Sequence, residues 1–92
     1  MNYSELTIKT IINDLEKCLD KNGNTYYKLC VQWINNSQIF YAFSYNLPAN
    51  TLNTLAETPE KFINRSVLIT YEKLPNKDNS GTFFKVKEIE VL

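Results

Sequence analysis

Gln38-Ile39-Phe40-Tyr41-Ala42-Phe43-Ser44-Tyr45 decides how this chain is read. It has the pattern of a β-strand, and successive side chains on a strand point to opposite faces. Tyr41, Phe43 and Tyr45 therefore share one face, and Phe40, Ala42 and Ser44 share the other. Two arrangements are open. The three rings can face outward as a platform on which flat ligands stack, or they can turn inward and fill a core, leaving Phe40 outside. Ala42 and Ser44 favour the outward arrangement, because tight barrels use small residues where strands curve. A hydroxyl on two of the three rings points the same way, since a buried phenol must find a partner.

On the N-terminal side, Thr25 to Ile34 alternates Tyr27, Leu29, Val31 and Trp33 against Tyr26, Lys28, Cys30, Gln32 and Ile34. The first set reads as core and the second as a mixed, exposed face. Asp20-Lys21-Asn22-Gly23-Asn24 is a strong turn signal, with Gly23 suited to positive φ. Leu6 to Leu19 reads as a long strand whose apolar phase shifts at Asn13-Asp14, the mark of a bulge or sharp bend. Counting outward from a turn centred on Asn22-Gly23 places Cys18 opposite Tyr27 and Cys30 opposite Leu15. The two sulfurs are then not neighbours, and free thiols in a reducing, cytoplasmic setting are expected.

On the C-terminal side, Leu47-Pro48 breaks the third strand, which is read as Gln38 to Asn46. Asn50 or Thr51 is expected to cap a short helix, with Leu52, Leu55 and Ala56 facing inward. Thr58-Pro59-Glu60 reads as a second cap with proline at the first helical position, and Phe62 and Ile63 close that turn. Ser66 to Lys73 and Thr82 to Leu92 are the fourth and fifth strands, joined by a polar loop from Leu74 to Gly81. On the fifth strand Phe83, Lys85 and Lys87 share a face, opposite Phe84 and Val86.

The order is three strands, a helix and two strands. It resembles the oligonucleotide/oligosaccharide-binding (OB) fold, a five-stranded Greek-key barrel, all-β but for one short helical segment, in one domain spanning residues 1–92. The resemblance covers Leu6 to Leu92. It implies a ligand face on strands two and three, flanked by the first-to-second and fourth-to-fifth strand loops. Here those are Tyr26, Lys28, Gln32, Tyr41, Phe43 and Tyr45, with the loops Lys21 to Asn24 and Pro75 to Gly81. The chain is similar to small single-stranded-DNA-binding modules and replication accessory subunits of mobile elements or phage. Compared with bacterial single-strand-binding proteins it lacks an acidic, glycine-rich C-terminal tail and is less basic, which implies an auxiliary subunit rather than a bulk coating protein.

Composition limits the chemistry. Ten basic and ten acidic residues give zero formal charge, so any phosphate binding rests on a local lysine stripe. Histidine, the commonest general base and metal ligand, is absent. Two cysteines alone do not complete a zinc site, and two glycines cannot build a phosphate-cradling loop. No apolar run approaches the roughly 20 residues of a membrane helix, and Met1-Asn2-Tyr3-Ser4-Glu5 is not a secretory signal. The sequence therefore predicts a non-enzymatic protein without metal, small-molecule cofactor or membrane partner. It is expected to bind single-stranded nucleic acid, DNA before RNA. Tyr26, Tyr41, Phe43 and Tyr45 would stack on bases, Lys21, Lys28, Lys77, Lys85 and Lys87 would contact phosphates, and Phe83 beside the strand-five lysines would join the nucleic-acid-binding set. The rival expectation is a protein-interaction subunit that buries the same aromatic face against a larger polymerase, primase or helicase.

Overall fold

The computed structural model describes residues 5–76 and 80–92. Five strands are formed: β1 (Glu5–Leu19), β2 (Thr25–Trp33), β3 (Asn36–Phe43), β4 (Ser66–Pro75) and β5 (Thr82–Val91). They close in the order β1-β2-β3-β5-β4, with β1 also bonded to β4. One helix, α1 (Ala49–Glu57), lies between β3 and β4. This is the five-stranded Greek-key barrel of the OB fold. Closure leaves no complete strand edge exposed.

β1 serves two neighbours because it bends. Glu5 to Ile11 pairs with β4, and Ile12 to Leu19 pairs with β2. Ile12 faces Val31 and Asp14 faces Cys30, so Asn13 is the extra residue of a bulge. The phase shift in the sequence falls at this point. A second bulge falls where the apolar phase of the fifth strand shifts from Phe84 and Val86 to Ile89 and Val91, a signal the reading of that strand did not use. Tyr71 faces Val86 and Thr70 faces Glu88, which leaves Lys87 as the extra residue of β5.

The hairpin turn corrects the expected cysteine partners. Cys18 faces Tyr26 rather than Tyr27, and Cys30 faces Asp14 rather than Leu15. The cause is the turn type. Asp20 N–H donates to Asn24 O at 2.9 Å, Gly23 N–H donates to Asp20 O at 3.0 Å, and Gly23 sits at φ 84°. Three residues with a left-handed glycine make the tip, so the centre of the hairpin is Asn22. Both thiols are free.

The interior follows the alternation. Ile12, Tyr27, Leu29, Val31, Phe40, Ala42, Val67, Ile69, Tyr71, Val86 and Ile89 are buried, and Leu55 of α1 and Phe62 cover one end. Each large apolar side chain so buried contributes roughly 1.5–3 kcal/mol. Trp33 and Phe84 are half-buried against this core. Phe40, Phe84, Tyr71 and Trp33 form a ring cluster inside, with Phe40–Tyr71 centroids at 4.9 Å and Phe40–Phe84 at 5.0 Å. Trp33 stacks on Phe84 at 5.5 Å.

Three local expectations are corrected. β3 stops at Phe43, and Ser44–Asn46 form a 3-10 turn, so Tyr45 lies just beyond the strand. α1 begins at Ala49 after Pro48, with Leu52 N–H donating to Pro48 O at 2.9 Å. Asn50 is therefore inside the first turn, where its side chain accepts from Thr51 N–H at 2.9 Å. The inward face is consequently Thr51, Leu52 and Leu55, and Ala56 is exposed. Thr58 precedes a 3-10 turn, Pro59–Lys61, with proline first as expected, but its side chain makes no capping hydrogen bond; Phe62 is buried behind the turn.

Candidate nucleic-acid interface

The outer surface of β1, β2, β3 and β5 is built in register rows. In one row Cys18 faces Tyr26, which faces Phe43. In the next, Glu16 faces Lys28, Lys28 faces Tyr41, Tyr41 faces Lys85, and Lys85 faces Glu72. In the third, Asp14 faces Cys30, which faces Ile39. Tyr41 thus sits between two lysines on neighbouring strands, and carboxylates bound the row at both ends.

Five rings form one connected surface. Tyr41 and Phe43 are nearly parallel (16°) with centroids 6.4 Å apart, and Tyr45 continues the line at 5.7 Å and 29° from Phe43. The 3-10 turn that ends β3 therefore preserves the line of rings, and Tyr45 is its most open member at 70% exposure. Tyr26 lies beside the line, 5.8 Å from Phe43 and 6.4 Å from Tyr41. Phe83 stands upright against it, at 78° to Tyr41 and 87° to Phe43, with centroids 6.1 and 6.5 Å away. Tyr26, Tyr41, Phe43 and Phe83 are half-buried, each ring covering part of its neighbour.

The electrostatics suit a neutral stacking surface beside isolated cations. The Tyr26 hydroxyl is held above the usual phenol range, first by the desolvation around it and then by Cys18 across the strand pair. It stays uncharged at physiological pH and adds no repulsion toward phosphate. Among the described residues, the ion pair on this side joins Lys87 Nζ to Glu72 Oε1 at 3.7 Å, leaving Lys28 and Lys85 without a carboxylate within ion-pair distance. A partly solvated surface pair of that kind is worth about 1 kcal/mol or less.

The turn between β1 and β2 is fixed beside the rings. The Asp20 carboxylate accepts from the N–H groups of Asn22 and Asn24, each at 2.8 Å. These bonds, Asn24 first, hold the Asp20 carboxyl below its usual range. Asp20, Lys21, Asn22 and Asn24 line one side of a cleft of about 480 Å³, with Phe43, Tyr45, Leu74, Phe83 and Lys85 on the other. A separate hollow beside α1 is lined by Asn50, Thr51, Phe62, Glu88 and Glu90; its carboxylates disfavour phosphate.

Of the residues singled out in the sequence, Tyr26, Lys28, Tyr41, Phe43, Tyr45, Phe83 and Lys85 come together on one surface, and Lys21 stands at its rim. Lys87 lies farther along β5, at the bulge and beside Glu72. Lys77 lies outside the described residues. Sequence reasoning placed the loop Lys21 to Asn24 beside the ligand face but did not single out Asn22 and Asn24, which line the cleft. It also passed over Leu74, read only as the start of a loop, and the carboxylates of Asp14 and Glu16 that border the face. The strand alternation that placed Lys28 outward also carried the signal for Glu16, its register partner.

No family model matches the sequence, and no curated protein matches it. Among solved structures, the chain is similar to the mitochondrial single-stranded DNA-binding protein Rim1 of S. cerevisiae, with a TM-score of 0.72 and 18% identity. The alignment covers 100% of this chain and 96% of that one. At this identity the likeness shows the shared OB fold over the whole domain. Among the described residues no helix is long and apolar enough to cross a membrane.

Proposed function

We propose that this protein binds single-stranded nucleic acid, DNA in the first place, across the five-ring surface of β2, β3 and β5. The arrangement that carries the reading is the row Lys28–Tyr41–Lys85 within a continuous outward set of rings. Bases stack on Tyr41, Phe43, Tyr45 and Tyr26, at roughly 1–3 kcal/mol per base. Lys28 and Lys85 meet phosphates on either side of Tyr41, and Lys21 meets them at the rim. The DNA-binding character of the structurally similar mitochondrial protein supports the reading. In this reading the role is a passive one: holding template or displaced strand as an accessory to replication or recombination.

Zero net charge favours a second reading, in which the face docks on a larger replication enzyme. Aromatic side chains are frequent anchors of such interfaces. The two readings separate in a fluorescence-anisotropy titration of a labelled single strand at two salt concentrations. Binding that weakens with salt, and is lost in the Tyr41→Ala/Phe43→Ala variant with the fold intact, supports nucleic acid. No binding at low salt, with capture of a polymerase, primase or helicase, supports docking.

A further inference from the structure

The line of rings does not simply run off the edge of the sheet; at Phe43 it meets a corner. Phe43 and Phe83 stand at 87°, so a base lying against one ring meets the other edge-on or face-on. That corner opens into the cleft of about 480 Å³ whose far wall is the turn of residues 20–24. Its size falls in the range of roughly 300–1,000 Å³ typical of small-ligand sites, enough for one base and its sugar. The wall is rigid: Asp20 holds the backbone of Asn22 and Asn24 at 2.8 Å, and the chain turns through Gly23 at φ 84°. Among the described residues no hydrogen bond engages the side-chain amide of Asn22, while the backbone N–H groups of Asn22 and Asn24 are both taken by the Asp20 carboxylate. Lys21 and Lys85 add two ammonium donors.

Donors thus dominate the movable polar groups of the cleft. A purine presents N7 as an acceptor that pyrimidines lack, with O6 beside it in guanine and N6–H beside it in adenine. An asparagine amide pairs with adenine N6/N7, and a lysine with guanine O6/N7. An open ring platform has no such preference, because every base has a π-face. Resting on the nucleic-acid reading above, we infer that the cleft is a single-nucleotide subsite with a preference for a purine, read on its N7 edge by Asn22 while its face lies on Phe43 or Phe83. The protein is then sequence-tolerant along the rings and selective at one position.

The test is a set of labelled oligothymidylates of about eight nucleotides, within the span one OB barrel covers, each carrying one adenine, guanine or cytosine at a successive position. The expected result is one position at which a purine tightens binding about fivefold to tenfold over all-thymine, the size of one good base-edge contact. The Asn22→Ala variant, whose site is an exposed turn position, should bring that ratio to within about twofold of one. Equal binding of the whole set, a preference for cytosine, or a purine preference that survives Asn22→Ala overturns the subsite and leaves the platform standing. No binding to any member overturns both.

Discussion

The molecule has two aromatic clusters, built largely from adjacent residues and put to opposite uses. Phe40 and Phe84 join Trp33 and Tyr71 inside the barrel. Tyr41 and Phe83, their chain neighbours, join Tyr26, Phe43 and Tyr45 outside. The inner rings lie close, with edge-to-face pairs at 4.9 and 5.3 Å, as expected where ring quadrupoles are satisfied by one another. The outer rings are spaced at 5.7–6.5 Å and include the nearly parallel line Tyr41–Phe43–Tyr45. The contrast teaches that aromatic content alone says little. One residue of strand phase separates a ring that holds the fold together from a ring that is available to a ligand.

The sharpest way to break this comparison is to remove one ring from each cluster. Phe40→Ala is expected to cost about 3–5 kcal/mol, a large share of the roughly 5–15 kcal/mol available to a small domain, and to lower the denaturation midpoint drastically. Tyr41→Ala, one residue away, should cost about 1 kcal/mol or less, the scale of a cross-strand pair. Equal destabilisation in urea melts would mean that the outer rings are structural.

Binding should show the reverse order. Tyr41→Ala and Phe43→Ala are each expected to weaken single-strand affinity by about 1–3 kcal/mol, measured by anisotropy. With Lys28, Lys85 and Lys21 as phosphate contacts, the logarithm of affinity should fall against the logarithm of salt with a slope of about −2. Lys85→Ala should flatten that slope by about 0.7.

Most of this division was legible beforehand. Alternation in Tyr27-Lys28-Leu29-Cys30-Val31 and in Phe40-Tyr41-Ala42-Phe43 sorts inside from outside, because a strand's period of two is local and rigid. The bend at Asn13 was legible for the same reason, since it breaks the phase of flanking apolar residues. The bulge at Lys87 also left a mark, since the apolar residues pass from Phe84 and Val86 to Ile89 and Val91 across it, but the fifth strand was read as one unbroken alternation. What else escaped depends on contacts distant in sequence or on turn type. The upright stance of Phe83 arises only when β5 lies parallel beside β3, a pairing of two residues at Phe40–Phe84 and Tyr41–Lys85. The register of the first hairpin hung on whether a three-residue tip centred on Asn22 or the Asn22-Gly23 pair made its turn.

Two smaller effects sharpen the border of the outer cluster. Glu16 faces Lys28 in the strand register, so Glu16→Gln should tighten single-strand binding about twofold at low salt and have no effect at high salt. Acid should loosen the turn that walls the cleft. The Asp20 pKa is lowered from 3.8 by the N–H bonds it accepts, that of Asn24 first. The contribution of the turn is thus complete above the unfolded carboxyl's pKa and is lost as pH falls through the lower folded value. Amide exchange at Asn22 and Asn24 should stay slow down to the ordinary carboxylate range and rise below it; protection that fades near neutral pH would contradict this.

The most direct measurement is an NMR titration with oligothymidylate that follows ring resonances of both clusters in one sample. The account predicts that Tyr26, Tyr41, Phe43, Tyr45 and Phe83 shift upon binding while Trp33, Phe40, Tyr71 and Phe84 stay in place. Saturable binding that leaves the first set unmoved, or that shifts the second set instead, would contradict it.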